Sequence, residues 1–210
     1  MPCSEVREIE LRGRLIVFEG LDFAGKSTQV ALLARRLRED HLPVTTTQEP
    51  GGTPLGETVR RILLERTERG LLPLSELLLF VTSRAQLVTQ VIEPALREGH
   101  VVVCSRFGLS SLAYQGYGRG ISLDLIRDLN RAATHDREPD LTFLVDLSAE
   151  AAVARKSGEK DRIEQENLAF YERVRKGYLE LTQDDPRVHR IDGTLSVSGI
   201  SSEVARYLCL

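Results

Sequence analysis

The sequence predicts an α/β protein built as a doubly wound five-stranded parallel sheet with helices on both faces. Short β-branched or apolar runs alternate with longer stretches of helical period, which is the pattern of βαβ units. Three of the short runs are almost continuously apolar, as expected of strands covered by helices on both faces. The chain has 210 residues, of which 41% are hydrophobic, and no linker or repeat divides it. We therefore expect residues 1–210 to form a single domain.

Five segments account for the predicted sheet. They are Arg14 to Glu19, Pro43 to Thr47, His100 to Cys104, Leu141 to Leu147 and Arg187 to Ile191. Two polar or glycine-rich segments, Ser105 to Ile121 and Arg155 to Arg162, come after strands. Because ligands bind at the carboxyl ends of parallel strands, both segments are candidates for a binding site.

Three apolar stripes predict helices that cover this sheet. Val30, Leu33, Ala34 and Leu37 recur at helical spacing and predict a helix from about Lys26 to Glu39. The second stripe is Leu168, Tyr171, Val174, Tyr178 and Leu181, and the third is Val197, Ile200, Val204 and Leu208. The third helix closes the chain, where it can fold back on the sheet.

A glycine-rich motif follows the first strand. Gly20 to Ser27 (GLDFAGKS) matches G-x-x-x-x-G-K-S/T, and it precedes the first predicted helix, which is the context that a P-loop requires. Its glycines let backbone N–H groups turn inward, and the helix N-terminus adds partial positive charge for phosphates. Lys26 would reach the β- and γ-phosphates, and the Ser27 hydroxyl would bind Mg²⁺. The motif predicts a nucleoside triphosphate site.

Charge and cysteine content exclude several other classes. Twenty-eight basic and 31 acidic residues give a net charge of −3, so we expect no broad nucleic acid surface. The cysteines and histidines are dispersed without metal-ligand spacing, which indicates neither a disulfide framework nor a structural metal site. The N-terminal segment lacks a signal-peptide core and no long apolar run exists, so we expect a cytoplasmic protein with no membrane partner.

The P-loop alone leaves GTPases, ATPase motors and small-molecule kinases open. No N-K-x-D guanine signature is present, and the chain is short for a motor domain. The remaining class is a kinase that moves the γ-phosphoryl group to a small acceptor under a closing lid.

Six segments resemble the thymidylate kinase family of P-loop nucleoside-monophosphate kinases. They are EGLDFAGKSTQ at 19–29, EPGGT at 49–53, FVTSRAQLV at 80–88, SRFGLSSLAYQGYGRG at 105–120, DRIEQE at 161–166 and IDGT at 191–194. EPGGT and AYQGYGRG carry more family information than the P-loop does. The resemblance implies a P-loop kinase fold with a short lid at about 155–162, and a homodimer. It also implies ATP-dependent conversion of dTMP to dTDP, with Mg²⁺, for dTTP biosynthesis.

The resemblance implies a role for each residue of the acceptor site. Phe80 would stack on thymine, Arg84 would donate to its O4, and Ser111 and Gln115 would line the base pocket. Tyr114 would pack at the sugar and disfavour a 2′-hydroxyl. The remaining assignments are Asp22 to the sugar 3′-hydroxyl, Arg106 to the acceptor phosphate, and Glu49 and Pro50 to the pocket wall.

It likewise implies the groups that bind ATP and transfer the phosphoryl group. The expected ATP-binding residues are Gly20, Leu21, Asp22, Phe23, Ala24, Gly25, Lys26, Ser27, Thr28, Asp192, Gly193 and Thr194. The expected catalytic cations are Lys26, Arg106, Arg155 and Arg162, the last two contributed by the lid. Ser27 is the expected metal residue, together with the ATP phosphates and water.

Several positions depart from the family pattern at sites of charge. Ser105 stands where the family has an aspartate near the metal waters, and Asp146 is an alternative acidic group or a helix cap. The other departures are Gln48 for a usual arginine, Leu109 for a common aspartate, Ser157 for a usual lid arginine, and Phe23 inside the P-loop. The chain is therefore either a working dTMP kinase, which we favour, or a catalytically weak nucleotide-binding relative. A preference for another monophosphate such as dUMP stays open, because one methyl group discriminates by only about 1 to 3 kcal/mol.

Overall fold

The computed structural model describes residues 11–65, 70–155 and 161–210. The strands are β1 Leu15–Glu19, β2 Val44–Gln48, β3 Val101–Ser105, β4 Leu141–Asp146 and β5 Val188–Asp192. They form one parallel sheet in the order β2-β3-β1-β4-β5. All five predicted strands are confirmed to within one residue at each end. The β3 ladder starts after His100 because that residue's N–H donates to Ala95 O at the end of the preceding helix.

The described α-helices include three that the apolar stripes predicted. In chain order, the described α-helices are α1 Lys26–Glu39, α2 Pro54–Leu64, α3 Pro73–Leu87, α4 Glu93–Arg97, α5 Gly108–Ser111, α6 Leu123–Thr134, α7 Ala149–Ala154, α8 Leu168–Thr182 and α9 Val197–Leu208. Two π-helical segments, Val88–Ile92 and Leu112–Gly118, continue α3 and α5. The α1 helix has the predicted bounds and its stripe is buried. The α9 helix spans the third stripe, of which Ile200, Val204 and Leu208 are buried whereas Val197 is 55% exposed.

Alternate residues of β1 point into two separate cores. Ile16 and Phe18 belong to one hydrophobic cluster, whereas Leu15 and Val17 belong to the other. Both faces of the central strands are therefore covered, which confirms the prediction of a doubly wound sheet. No helix in the described ranges is long and apolar enough to cross a membrane.

The strand order places β1 and β3 side by side at the centre of the sheet. Their carboxyl ends lead into the P-loop and into the segment that begins with Arg106. Neighbouring parallel strands end at the same edge, so residues about 80 positions apart in the chain come together there.

Candidate functional site

The P-loop backbone curls between β1 and α1. Gly20 has a φ of 138°, and a Cβ at this position would lie 2.5 Å from the carbonyl oxygen of Val145 on β4. Only glycine fits so close to the neighbouring strand. Gly25, with a φ of 93°, caps α1 and supplies no side-chain acceptor. The first N–H groups of α1 are therefore not capped by a side chain, which suits them to bind phosphate.

Phe23 has a left-handed backbone inside this loop. Its φ is 64°, a region that costs a non-glycine residue about 1 kcal/mol or more. This backbone geometry favours glycine over phenylalanine at the position. The side chain is half-buried and lines the cavity beside the loop.

Lys26 folds back on the P-loop. Its Nζ donates to the carbonyl oxygens of Gly20 at 3.1 Å and Leu21 at 2.6 Å. Burial, followed by repulsion from Arg106, lowers the pKa of Lys26 to about 7. A phosphate near Nζ would favour the charged form, so the protonation of Lys26 is sensitive to an anionic ligand.

A cavity of about 440 Å³ opens beside the P-loop. Fourteen of the predicted site residues line it, namely Asp22, Phe23, Gly25, Lys26, Ser27, Thr28, Glu49, Pro50, Phe80, Arg106, Ser111, Tyr114, Gln115 and Arg155. Such a volume accommodates a small ligand. Gly20, Leu21 and Ala24 lie within the loop but do not line the cavity.

Arg106 joins the end of β3 to the P-loop. Its Nη2 donates to Asp22 Oδ1 at 2.5 Å and to the Tyr114 hydroxyl at 3.0 Å, and its guanidinium lies over the Tyr114 ring. Burial alone would raise the pKa of Asp22, but Arg106 and Lys26 outweigh it and hold that pKa below its usual value. Asp22 is thus a carboxylate paired with Arg106.

Arg84 lies beneath the cavity wall. It is 1% exposed and donates to Glu49 Oε2, Asn130 Oδ1, Ser111 Oγ and Phe107 O. Phe80, one turn earlier on α3, lines the cavity, whereas Arg84 reaches it only through Glu49 and Ser111. A direct bond from Arg84 to a base stays a prediction.

Glu49 is a buried carboxyl whose two oxygens differ in their hydrogen bonds. Oε2 accepts from Arg84, whereas Oε1 has no hydrogen-bond partner among the described residues. Burial raises the pKa of Glu49 to about 7, against the opposing effect of Arg84. The side chain lines the cavity, so its charge state influences any anion bound there.

Glu76 is a buried acidic residue that binds cationic side chains on the lid side of the cavity. It is 1% exposed and accepts from Gln115, Arg119 and Arg162. Arg162 also donates from Nε to Leu63 O at 2.9 Å, and its Nη2 is buried without a hydrogen bond among the described residues. Arg162 therefore does not line the cavity in this arrangement.

Arg155 connects the cavity to the loop after β5. It lines the cavity, and its Nη2 donates to Gly193 O at 3.0 Å. Asp192 Oδ1 accepts from the backbone and side chain of Thr194, which fixes that turn. Asp192, Gly193 and Thr194 thus lie next to the cavity without lining it. Of the predicted lid at 155–162, residues 156–160, including Ser157, lie outside the described residues.

The residues that depart from the family pattern differ in where they lie relative to the cavity. Gln48 and Ser105 are register partners on β2 and β3, and both line the cavity. Leu109 packs against the hydrophobic core and does not line this cavity. Asp146 accepts two hydrogen bonds from Arg175 and lies outside the cavity, while Ser148 caps the following helix α7. Asp146 is therefore not the cap, and its role as an alternative acidic group stays a prediction.

Other lining residues were not among the expected binding or catalytic residues, although Gln48 and Ser105 were noted as departures from the family pattern. Arg60, which donates to Pro50 O at 2.9 Å, is one of them, and Asp161 and Glu164 are two more. DRIEQE contains both acids, so their motif was a signal, but Arg60 lies on an ordinary amphipathic helix that gave none. The rest are Gln48, Leu64, Ser105, Ser110 and Ile163.

Comparisons with known proteins agree with this architecture. The sequence model described as "Thymidylate kinase" matches residues 18–204. The chain belongs to the thymidylate kinase family. It is 48% identical to the thymidylate kinase of Pelotomaculum thermopropionicum over 184 residues, which cover 86% of this chain and 85% of that protein. It is also 48% identical to the thymidylate kinase of Kosmotoga olearia, over 93% of this chain and 96% of the relative.

A solved structure extends the family assignment to the fold. The crystal structure of thymidylate kinase from Ehrlichia chaffeensis superposes with a TM-score of 0.78 at 36% identity. It covers 95% of this chain and 100% of its own. The fold of this thymidylate kinase family member is thus the P-loop nucleoside-monophosphate kinase fold.

Proposed function

We propose that the protein transfers the γ-phosphoryl group of ATP to dTMP, giving ADP and dTDP. The observation that carries this proposal is one continuous cavity shared by Lys26 of the P-loop, Arg106 at the end of β3 and Phe80 on α3. The P-loop end suits a triphosphate, and the Phe80 end suits a flat base. Membership of the thymidylate kinase family supports the same reaction.

The ligands would divide the cavity between them. ATP phosphates would bind residues 20–28, with the adenine beside Asp192, Gly193 and Thr194. The acceptor would place its base among Phe80, Ser111 and Gln115, and its sugar at Tyr114 and Asp22. Glu49 and Pro50 would form the wall, with Arg84 supporting Glu49 and Ser111 from beneath.

Catalysis would rest on positive charge around the transferring group. Lys26, Arg106 and Arg155 line the same cavity and could stabilise charge on the phosphoryl oxygens. Arg162 would join them only after leaving Glu76, to which its Nη1 is bound at 2.7 Å. Phosphoryl transfer depends on positioning and distributed charge, so no single general base is required.

The donor set around Ser27 fits Mg²⁺ held partly by ATP. Among the described residues no group of three His, Cys, Asp or Glu side chains could hold a metal alone. Ser27, Asp161 and Glu164 line one cavity, and hard oxygen ligands such as hydroxyl and carboxylate groups suit Mg²⁺. When bound, the ion would neutralise phosphate charge.

A steady-state assay of ADP formation tests the proposal. ATP, Mg²⁺ and a panel of dTMP, dUMP, dCMP, dGMP and dAMP are supplied separately. We expect turnover with dTMP in the kinase range of about 1 to 100 s⁻¹, abolished by Lys26→Met. Turnover far below that range would favour a catalytically weak nucleotide-binding relative. A higher kcat/KM for dUMP than for dTMP would identify dUMP as the preferred substrate.

We also propose a homodimer in the cytoplasm. Helices α2, α3 and α6 pack side by side, and each exposes large apolar side chains. Leu55, Ile62, Leu74, Leu78 and Leu125 are 42–50% exposed. Apolar residues on neighbouring helices suit a self-complementary interface.

The free thiols of Cys104 and Cys209 fit a reducing compartment.

A further inference from the structure

Glu19 is the last residue of β1, and its side chain is fully buried. It begins the motif EGLDFAGKSTQ, yet it lies outside the P-loop and does not line the cavity. A buried carboxylate is costly unless several donors compensate for lost water. The groups that donate to Glu19 therefore indicate what it does.

One oxygen of Glu19 holds the backbone that follows Arg106. Oε1 accepts from the N–H groups of Phe107 at 2.8 Å and Ser110 at 3.2 Å. Arg106 itself has a left-handed φ of 70°, so the chain turns sharply here. Glu19 fixes the direction that the backbone takes directly after Arg106.

The other oxygen orients two hydroxyl groups. Oε2 accepts from Ser110 Oγ at 2.6 Å and from the Tyr178 hydroxyl at 2.9 Å. Arg106 Nη1 donates to the oxygens of both hydroxyl groups, at 2.9 Å to Ser110 Oγ and at 3.2 Å to the Tyr178 hydroxyl. The two hydroxyl oxygens also lie 2.9 Å from each other, where either could donate. Each has a single hydrogen, so when both donate to Glu19, both keep lone pairs for the guanidinium.

Tyr178 keeps its hydrogen in this environment. Burial, and then the negative charge of Glu19, raise the pKa of Tyr178 well above its usual value. The hydroxyl thus remains a donor to Glu19 and an acceptor for Arg106. Nη1 of Arg106 is held by this pair of hydroxyls, whereas Nη2 is held by Asp22 and Tyr114.

We infer that Glu19 is a positioning residue for Arg106, acting through the Ser110 and Tyr178 hydroxyls, and that it thereby directs the guanidinium toward the acceptor phosphate. The phosphate contact rests on the proposed function. The orientation of Arg106 is a property of the protein alone, so the two can be tested separately.

The first test measures Arg106 without any ligand. Glu19→Gln keeps the side-chain shape but replaces an accepting oxygen with an NH₂ group, so the hydroxyls can no longer both donate to it. In protein with ¹⁵N-labelled arginine, we expect Nη–H exchange of Arg106 to accelerate about tenfold, as for the loss of about 1.4 kcal/mol of protection. Arg106→Lys assigns the signal, and unchanged exchange would overturn the inference.

The second test measures equilibrium binding by calorimetry with dTMP and thymidine. We expect Glu19→Gln to weaken dTMP about tenfold and to leave thymidine, which lacks the phosphate, unchanged. Equal weakening of both would indicate a general structural role and reject the inference. If the unaltered protein binds no dTMP while Arg106 exchange responds as expected, the proposed function fails and the positioning role stands.

A variant cycle isolates the route through the hydroxyls. In a Ser110→Ala, Tyr178→Phe background, Glu19→Gln should accelerate Arg106 exchange no further, whereas additive effects would contradict the relay. Should Glu19→Gln not fold, Ser110→Ala and Tyr178→Phe each remove one acceptor of Nη1 and should each accelerate exchange. Tyr117→Phe is the matched control, because its hydroxyl donates to Glu180 on α8 away from Arg106 and its loss should change neither exchange nor dTMP affinity.

Discussion

Arg106 Nη2 and Asp22 Oδ1 form an ion pair at 2.5 Å that joins the end of β3 to the P-loop. The side chains are 15% and 21% exposed, so solvent screens the pair only in part. Both residues are proposed to contact the acceptor, Arg106 at its phosphate and Asp22 at its sugar. In the proposed complex, the pair would therefore couple the two ends of one ligand.

Asp22→Asn tests the sugar contact. The amide keeps the size of the side chain but removes the charge that Arg106 and the sugar hydroxyl would share. We expect the protein to prefer dTMP over 3′-deoxy-dTMP in kcat/KM by roughly tenfold, and the variant to lose most of this preference. The ratio of the two kcat/KM values is the measurement. An unaltered ratio would place the 3′-hydroxyl elsewhere.

Lys26 should take up a proton when a nucleotide binds. Its pKa is about 7, so at about pH 8 most of the protein carries neutral Lys26. Phosphates would raise this pKa, so binding of an ATP analogue should absorb nearly one proton at about pH 8 and far less at about pH 6. Calorimetry in buffers of different ionisation enthalpy measures the uptake. Lys26→Arg, charged at both pH values, should remove it, and uptake that persists in this variant would point to another group.

Glu49 should make stability depend on pH. Its pKa is raised from 4.5 to about 7 in the folded protein, which therefore binds more protons than the unfolded chain between these values. The contribution of Glu49 to stability is full below about pH 4.5, falls as pH rises to about 7, and then levels off. Relative to Glu49→Gln, which does not titrate, the protein should lose up to about 3 kcal/mol across this window. Urea unfolding at several pH values measures the difference, and parallel curves would refute the shift.

Ser105→Asp tests the departure that the family resemblance places near the metal waters. A carboxylate there could accept from a metal-bound water, and we expect the Mg²⁺ concentration for half-maximal rate to fall by roughly fivefold. Gln48 is the register partner of residue 105. Gln48→Arg should therefore change the effect of Ser105→Asp on the Mg²⁺ requirement, because it adds a charge beside residue 105. Ser202→Asp, on the exposed face of α9, is the matched control. An unchanged Mg²⁺ requirement in Ser105→Asp would show that no metal water lies near this position.

Leu78→Glu tests the proposed dimer surface. Leu78 is 45% exposed on α3, and a charge there should disfavour an apolar interface between two copies. We expect light scattering to give the mass of a dimer for the protein and of a monomer for the variant. Leu168→Glu, at a similarly exposed leucine on α8, should leave the mass unchanged. A monomeric unaltered protein would reject the proposed dimer.

The sequence by itself determined the strands, the main helices and the P-loop, because these depend on local patterns. The β1 run is apolar at every position before Glu19 and the α1 stripe has helical spacing, so each predicted its own structure. Fourteen of the residues that the family resemblance implied for the site line one cavity, and their roles there stay predictions.

Tertiary structure alone decided the partner of each charged side chain. Arg84 and Arg162 were expected to face ligands, yet they bind Glu49 and Glu76, because a buried guanidinium needs a nearby acceptor. Asp146 likewise pairs with Arg175, a partner that the sequence pattern did not predict. Glu19 joins Ser110 and Tyr178 over separations of 91 and 159 residues. Hydrogen bonds over such separations leave no periodic signal in the sequence, so only the folded chain shows which groups orient Arg106.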